Sequence, residues 1–144
     1  MSELARLLKV HYDGNNSGDF DAALSVFDPE CETVTPNGPM KGLQAFRELG
    51  EAFRTAAPDH HLEALHTFEA GDTIIVEGVY SGTHTGPLAG PGGTIPATGR
   101  SFAFPYVDIM QARDGKFVSH RIYWDNVTFL TQLGLMPAPG GATV

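Results

Sequence analysis

The chain has 144 residues, 42% hydrophobic and 18% charged, with a formal net charge of −8 and basic residues scattered singly. That length suits one domain around one core, and the acidic balance offers no electrostatic footprint for nucleic acid or an anionic membrane. The lone Cys31 excludes an internal disulfide and a cysteine-based zinc cluster, and no apolar run approaches the roughly 20 residues that span a bilayer. The N-terminus lacks the basic and apolar blocks of a signal peptide, so a cytoplasmic protein is expected.

Leu4, Leu7, Leu8, His11 and Tyr12 recur at helical spacing, which predicts an amphipathic helix over residues 3 to 14, stopped by Gly14-Asn15-Asn16. Asp19 is placed to cap a second helix with Phe20, Ala23, Leu24 and Phe27 inward, ended by Pro29. A short strand over 31 to 35 and the turn Pro36-Asn37-Gly38-Pro39 lead to a third helix over 42 to 56, with Leu43, Phe46, Leu49 and Phe53 on its inner side. Strands follow at about 60 to 69 and 73 to 81, joined at Ala70-Gly71-Asp72. Residues 82 to 99, rich in Gly and Pro, form a long irregular segment of the kind that serves as a lid or binding loop, or simply as a connection.

Phe102 to Gln111 and Lys116 to Trp124 read as a hairpin turning at Asp114-Gly115. With Arg113 opposite Lys116, unbroken pairing sets Asp108 opposite Arg121 and Tyr106 opposite Tyr123. One face then carries Phe104, Tyr106, Asp108, Met110, Arg121, Tyr123 and Asp125, a mixture suited to the wall of a pocket for a flat organic ligand. The other carries Val107, Ile109, His120, Ile122 and Trp124, apolar enough to pack on a helix or a second subunit. From Asn126, helical spacing runs to Gly134, giving a single domain over 1 to 136 and a flexible tail over 137 to 144. This order of elements predicts an α+β cone, with helices in the concavity of one curved antiparallel sheet.

Gly82-Thr-His-Thr-Gly86, Ala97-Thr-Gly-Arg100, Asp114-Gly-Lys116, Tyr123-Trp-Asp125 and Gln132-Leu-Gly134 come in an order that resembles the SnoaL-like polyketide cyclase family, of the nuclear transport factor 2-like (cystatin-like) superfamily. The resemblance implies a cone-shaped fold with a deep pocket, a homodimer formed through the open sheet, and an intramolecular aldol closure needing no cofactor and no metal. It also implies that Asp125, matching an Asp on the last strand, is the general acid and base, with His84 in the loop motif beside the pocket mouth.

The residues themselves leave several roles open. Asp125 beside Phe104 and Tyr123 would be a desolvated carboxylate of raised basicity, yet it also directly precedes a helix, where Asp is a favoured N-cap. Asp108 and Arg121 are either a surface ion pair or an oriented electrophile, and His84 either an oxyanion donor or a loop histidine. Tyr12 completes the first helix's buried stripe or reaches the pocket with its hydroxyl. His60 and His66 share one face of their strand and His61 the other, which argues against a metal site. The expected function is therefore a cofactor-independent cyclase or isomerase acting on a small aromatic carbonyl compound. Asp125, His84 and Arg121 would be its catalytic groups, and Tyr12, Phe104, Tyr106, Asp108 and Tyr123 would meet the substrate. A non-catalytic binding protein and an accessory hydroxylation protein are the alternatives.

Overall fold

The computed structural model describes residues 1–90 and 92–137; the expected tail lies, from residue 138 on, outside them. Helix α1 spans Glu3–Ser17, capped by the Ser2 side chain, and α2 spans Phe20–Leu24, capped by Asp19 as expected. Gly14 does not stop α1. A Cβ there would sit 2.5 Å from the Ala23 backbone nitrogen, so this glycine lets α2 lie against α1, and Gly18 (φ 82°) ends the helix instead.

Strand β1 (Phe27–Thr35) begins earlier than expected and contains Pro29; β2 (Gly38–Lys41) folds back on it, and α3 (Leu43–Ala56) follows. Then come β3 (His61–Ala70), β4 (Thr73–Thr83), the short pair β5 (Leu88–Gly90) and β6 (Gly93–Ile95), β7 (Ser101–Arg113), β8 (Lys116–Trp124) and α4 (Asn126–Gln132). Six strands form one curved sheet in the order β2-β1-β8-β7-β4-β3, antiparallel except for β1 against β8. The segment over 82 to 99 is less irregular than its composition suggests, since β5 and β6 make a small sheet of their own inside it.

The concave face is set by alternation along the strands. Ile74, Val76, Gly78 and Tyr80 on β4 and Phe102, Phe104, Tyr106, Asp108 and Met110 on β7 are all buried, and α1 and α3 lie over them. The hairpin turns as expected, with Asp114 (φ 52°) and Gly115 (φ 78°) at its tip and Arg113 opposite Lys116. Ala112 faces Phe117 but Gln111 faces Ser119, so Val118 is an extra residue on β8. A bulge of one residue exchanges the two faces of everything beyond it. Asp108 therefore lies opposite Ile122, Val107 opposite Tyr123 and Ile109 opposite Arg121. The inward side chains of β8 are His120, Ile122 and Trp124; Arg121, Tyr123 and Asp125 point away from the concavity, contrary to the unbroken pairing.

No helix among the described residues is long and apolar enough to cross a membrane.

Candidate active site

Between the sheet and the helices lies a cavity of about 80 Å³, walled by Phe46, Leu49 and Phe53 of α3 and by Phe104, Ile122 and Trp124 of the sheet. Leu49 and Phe53 also wall a wider outer recess of about 440 Å³ bounded by Leu88 and Ile95 of the β5–β6 pair and by Phe129 of α4.

The inner cavity has two polar ends. At one, His120 Nε2 lies 2.9 Å from Asp108 Oδ1, both residues being almost wholly buried. Tyr12 donates to Asp108 Oδ2 at 2.6 Å, and Tyr106 donates to Tyr12 at 2.9 Å. An ionised carboxylate only accepts, so these protons point toward Asp108, and His120 carries its hydrogen on Nε2. The remaining nitrogen, Nδ1, has a single loose contact, Thr33 Oγ1 at 3.4 Å. Burial alone would push Asp108 up, but the bond and charge of His120 and the bond from Tyr12 outweigh it and hold the carboxyl below its ordinary value. A carboxylate held so low is a poor base and a good orienting partner.

Beside them His11 lies buried on α1, its Nδ1 2.9 Å from the carbonyl oxygen of Ala23. Burial, with the nearby His120 ring, lowers its pKa to about 4. At the other end, Tyr80 donates to His60 Nδ1 at 2.7 Å, and His60 Nε2 donates to the Asn15 carbonyl at 3.1 Å.

Of the residues singled out from sequence, Phe104, Tyr106 and Asp108 line the cavity. Tyr12 lies behind them, joined to the site by its hydroxyl. The structure does not bring Arg121 or Tyr123 there: both are exposed on the outer face, Tyr123 at 49%. Asp125 caps α4, accepting from the Val127 backbone at 2.8 Å and the Thr128 hydroxyl at 2.8 Å. Those bonds lower its pKa in full solvent exposure, so it is a cap outside the cavity and a weak base. His84 is buried but walls neither chamber. Its Nδ1 lies 3.0 Å from the Thr98 hydroxyl, tying the two ends of the loop together.

Sequence reasoning missed His11, His60, Tyr80 and His120 as parts of a site. One signal was present: Val118, Ile122 and Trp124 make the His120 face the more apolar of the two, which marks it as the inward one.

The buried histidines give a pH-dependent stability. His11, with a folded value near 4 against 6.5 unfolded, is protonated first in the unfolded chain as pH falls. Stability is then complete above pH 6.5 and declines toward pH 4, by about 3 kcal/mol from His11 alone. His60 and His84 are shifted the same way, by burial, and add to the slope. Urea unfolding between pH 7 and 4 should show it, and His11→Gln should flatten it.

An α+β cone closed by helices over an aromatic cavity is the architecture of the nuclear transport factor 2-like folds. The chain belongs to the SnoaL-like polyketide cyclase family, whose model matches residues 5–133. Aklanonic acid methyl ester cyclase DnrD of Streptomyces peucetius is 31% identical over 107 residues, covering 73% of this chain and 71% of DnrD. Its counterpart DauD from Streptomyces sp. strain C5 is also 31% identical over 107 residues, covering 73% of this chain but 64% of DauD, just under two thirds of its length. Among solved structures, TsrD from Streptomyces laurentii superposes with a TM-score of 0.81 at 25% identity, covering 93% of this chain and 96% of TsrD.

Proposed function

We propose that this protein closes a ring in an aromatic polyketide or similar polycyclic carbonyl compound by acid–base chemistry, without cofactor or metal. The observation that carries this reading is the buried Asp108–His120 pair on the floor of an aromatic cavity. His120 Nδ1 takes a proton from the carbon α to a carbonyl; the enolate attacks a second carbonyl carbon, forming the C–C bond; the imidazolium returns the proton to the new alkoxide. The reaction is an isomerisation, with no oxidant and no leaving group. Asp108 keeps the imidazole in the right tautomer and offsets its positive charge, the division of labour of a His–Asp pair. Phe46, Phe53, Phe104 and Trp124 exclude water and hold the flat ring system. A polycyclic substrate outgrows the inner cavity, so its remainder extends past Leu49 and Phe53 into the outer recess.

The names of DnrD and DauD supply the first substrate to try. Purified protein incubated with aklanonic acid methyl ester and a metal chelator should convert it to a ring-closed isomer of unchanged mass. Saturable binding with no conversion, of this and of related anthraquinone esters, would instead assign a carrier.

The same reading expects a homodimer through the outer face of the sheet. Pairing aligns Phe68, Ile75 and Ile109 in one row and Val107 with Tyr123 in the next; Phe68 is 55% exposed. Ile122 and Trp124, expected on this face, are inside the cavity instead. Ile109→Lys would place an unpaired charge in a desolvated contact and should convert a dimer to monomer in sedimentation velocity.

A further inference from the structure

Besides His120 Nδ1, the hydrogens around the cavity leave a second nitrogen with a defined and unmet demand. Tyr106 donates to Tyr12 and Tyr12 to Asp108, while His120 donates to the same carboxylate. Tyr80 donates to His60, His60 to a backbone carbonyl, and Trp124 to Asn126 at 2.6 Å. These donors are all committed within the protein. His11 is bound by Nδ1 to a carbonyl, which can only accept, so the hydrogen sits on Nδ1 and Nε2 carries a bare lone pair. That Nε2 has no partner among the described residues. His11 as a whole is only 3% exposed, yet its Nε2 is not sealed from a water-sized contact, so it opens onto the cavity that His11 lines.

We propose that His11 Nε2 accepts a hydrogen bond from a hydroxyl of the bound ligand, so that the cavity selects phenolic or enolic aromatic compounds over the same ring systems lacking that hydroxyl. The proposal rests on the cavity being the substrate site and adds the group by which the substrate is chosen. A ligand carbonyl or ether oxygen placed there would set lone pair against lone pair, leaving both groups desolvated and unpaired. The ring stays neutral through the physiological range because burial disfavours its charged form. The charged or titratable groups that face it are Tyr12, 5.8 Å away between ring centres and donating to Asp108; His120, at 6.3 Å; and Asp108, whose two oxygens are both occupied.

The test uses 2-naphthol and 2-methoxynaphthalene, neither of which can cyclise, so binding is read independently of turnover. The wild-type protein should bind the naphthol about tenfold more tightly, the scale of one hydrogen bond to a buried acceptor. In ¹⁵N spectra the His11 Nε2 resonance should move upfield with the naphthol and stay in place with the ether. His11→Phe should bind the two alike; because that change also strips the Ala23 carbonyl of its partner, the wild-type spectra are the decisive arm. Equal affinities, an unmoved Nε2 resonance, or no binding of either compound overturns the proposal. A protein that cyclises its substrate yet treats the two naphthalenes alike keeps the reaction and loses this assignment. Discrimination without turnover does the reverse.

Discussion

Asp108→Asn should lower turnover by about 100-fold or more while leaving a folded protein, the usual scale for a disabled general acid/base. The asparagine can still accept from Tyr12, but its amide would donate toward His120 Nε2, pulling the imidazole into the opposite tautomer. The nitrogen meant to take the substrate proton would then carry a hydrogen already. A structural role alone would scale rate with folded fraction. Here the loss of rate should remain in full after correction for the folded fraction, because it comes from the tautomer and not from unfolding. Unfolding in urea should show a modest cost, about 1–3 kcal/mol for a buried bond to a charged group. His120→Gln should match the loss of rate without restoring it at any pH.

Gly14→Ala should destabilise the protein by about 1–3 kcal/mol through overpacking, although the same change in an open helix stabilises by roughly 1 kcal/mol. The difference lies in what the new methyl meets: Ala23 nitrogen at 2.5 Å, Cα at 2.8 Å and Cβ at 2.9 Å, the first two of them backbone. Relief requires α2 to back away from α1. The carbonyl that moves with it is the Ala23 oxygen holding His11 Nδ1, so the variant should also lose ligand affinity more than its stability loss explains. Urea midpoints and naphthol titration on the same sample separate the two effects. A neutral or stabilising Gly14→Ala would show that the two helices have room to spare.

Much of the fold was legible because its signals are local. The i, i+3, i+4 spacing of Leu4, Leu7, Leu8 and His11, the Asp19 cap and the Asp114-Gly115 turn each act over a few residues, and each appears where expected. The site was less legible because it depends on register, and register turns on Val118. A β-branched residue in a strand carries no mark of a bulge, yet that residue puts Ile122 in place of Arg121 opposite Asp108 and turns His120 to the inward face. Asp108, which the sequence left between a surface ion pair with Arg121 and a pocket wall, lines the cavity and bonds His120 instead of Arg121. Asp125 failed as a pocket residue for a different reason. The Val127 N–H and the Thr128 hydroxyl at the start of α4 hold its carboxylate, and the sequence Asp-Asn-Val-Thr already contained that option. His11 was read as part of the helix stripe, which it is; His60 was read as a strand residue but lies just before β3, and that both line one cavity is a tertiary fact that no spacing encodes.

The most direct test of the account is the turnover of Asp108→Asn and Asp125→Asn, measured side by side on one cyclised substrate with the folded fraction of each known. The structure predicts that Asp125→Asn works at nearly the wild-type rate, losing at most a little stability at the start of α4, and that Asp108→Asn is slower by about 100-fold or more. The opposite order, with Asp108→Asn active and Asp125→Asn silent, would contradict the placement of the chemistry at the Asp108–His120 pair.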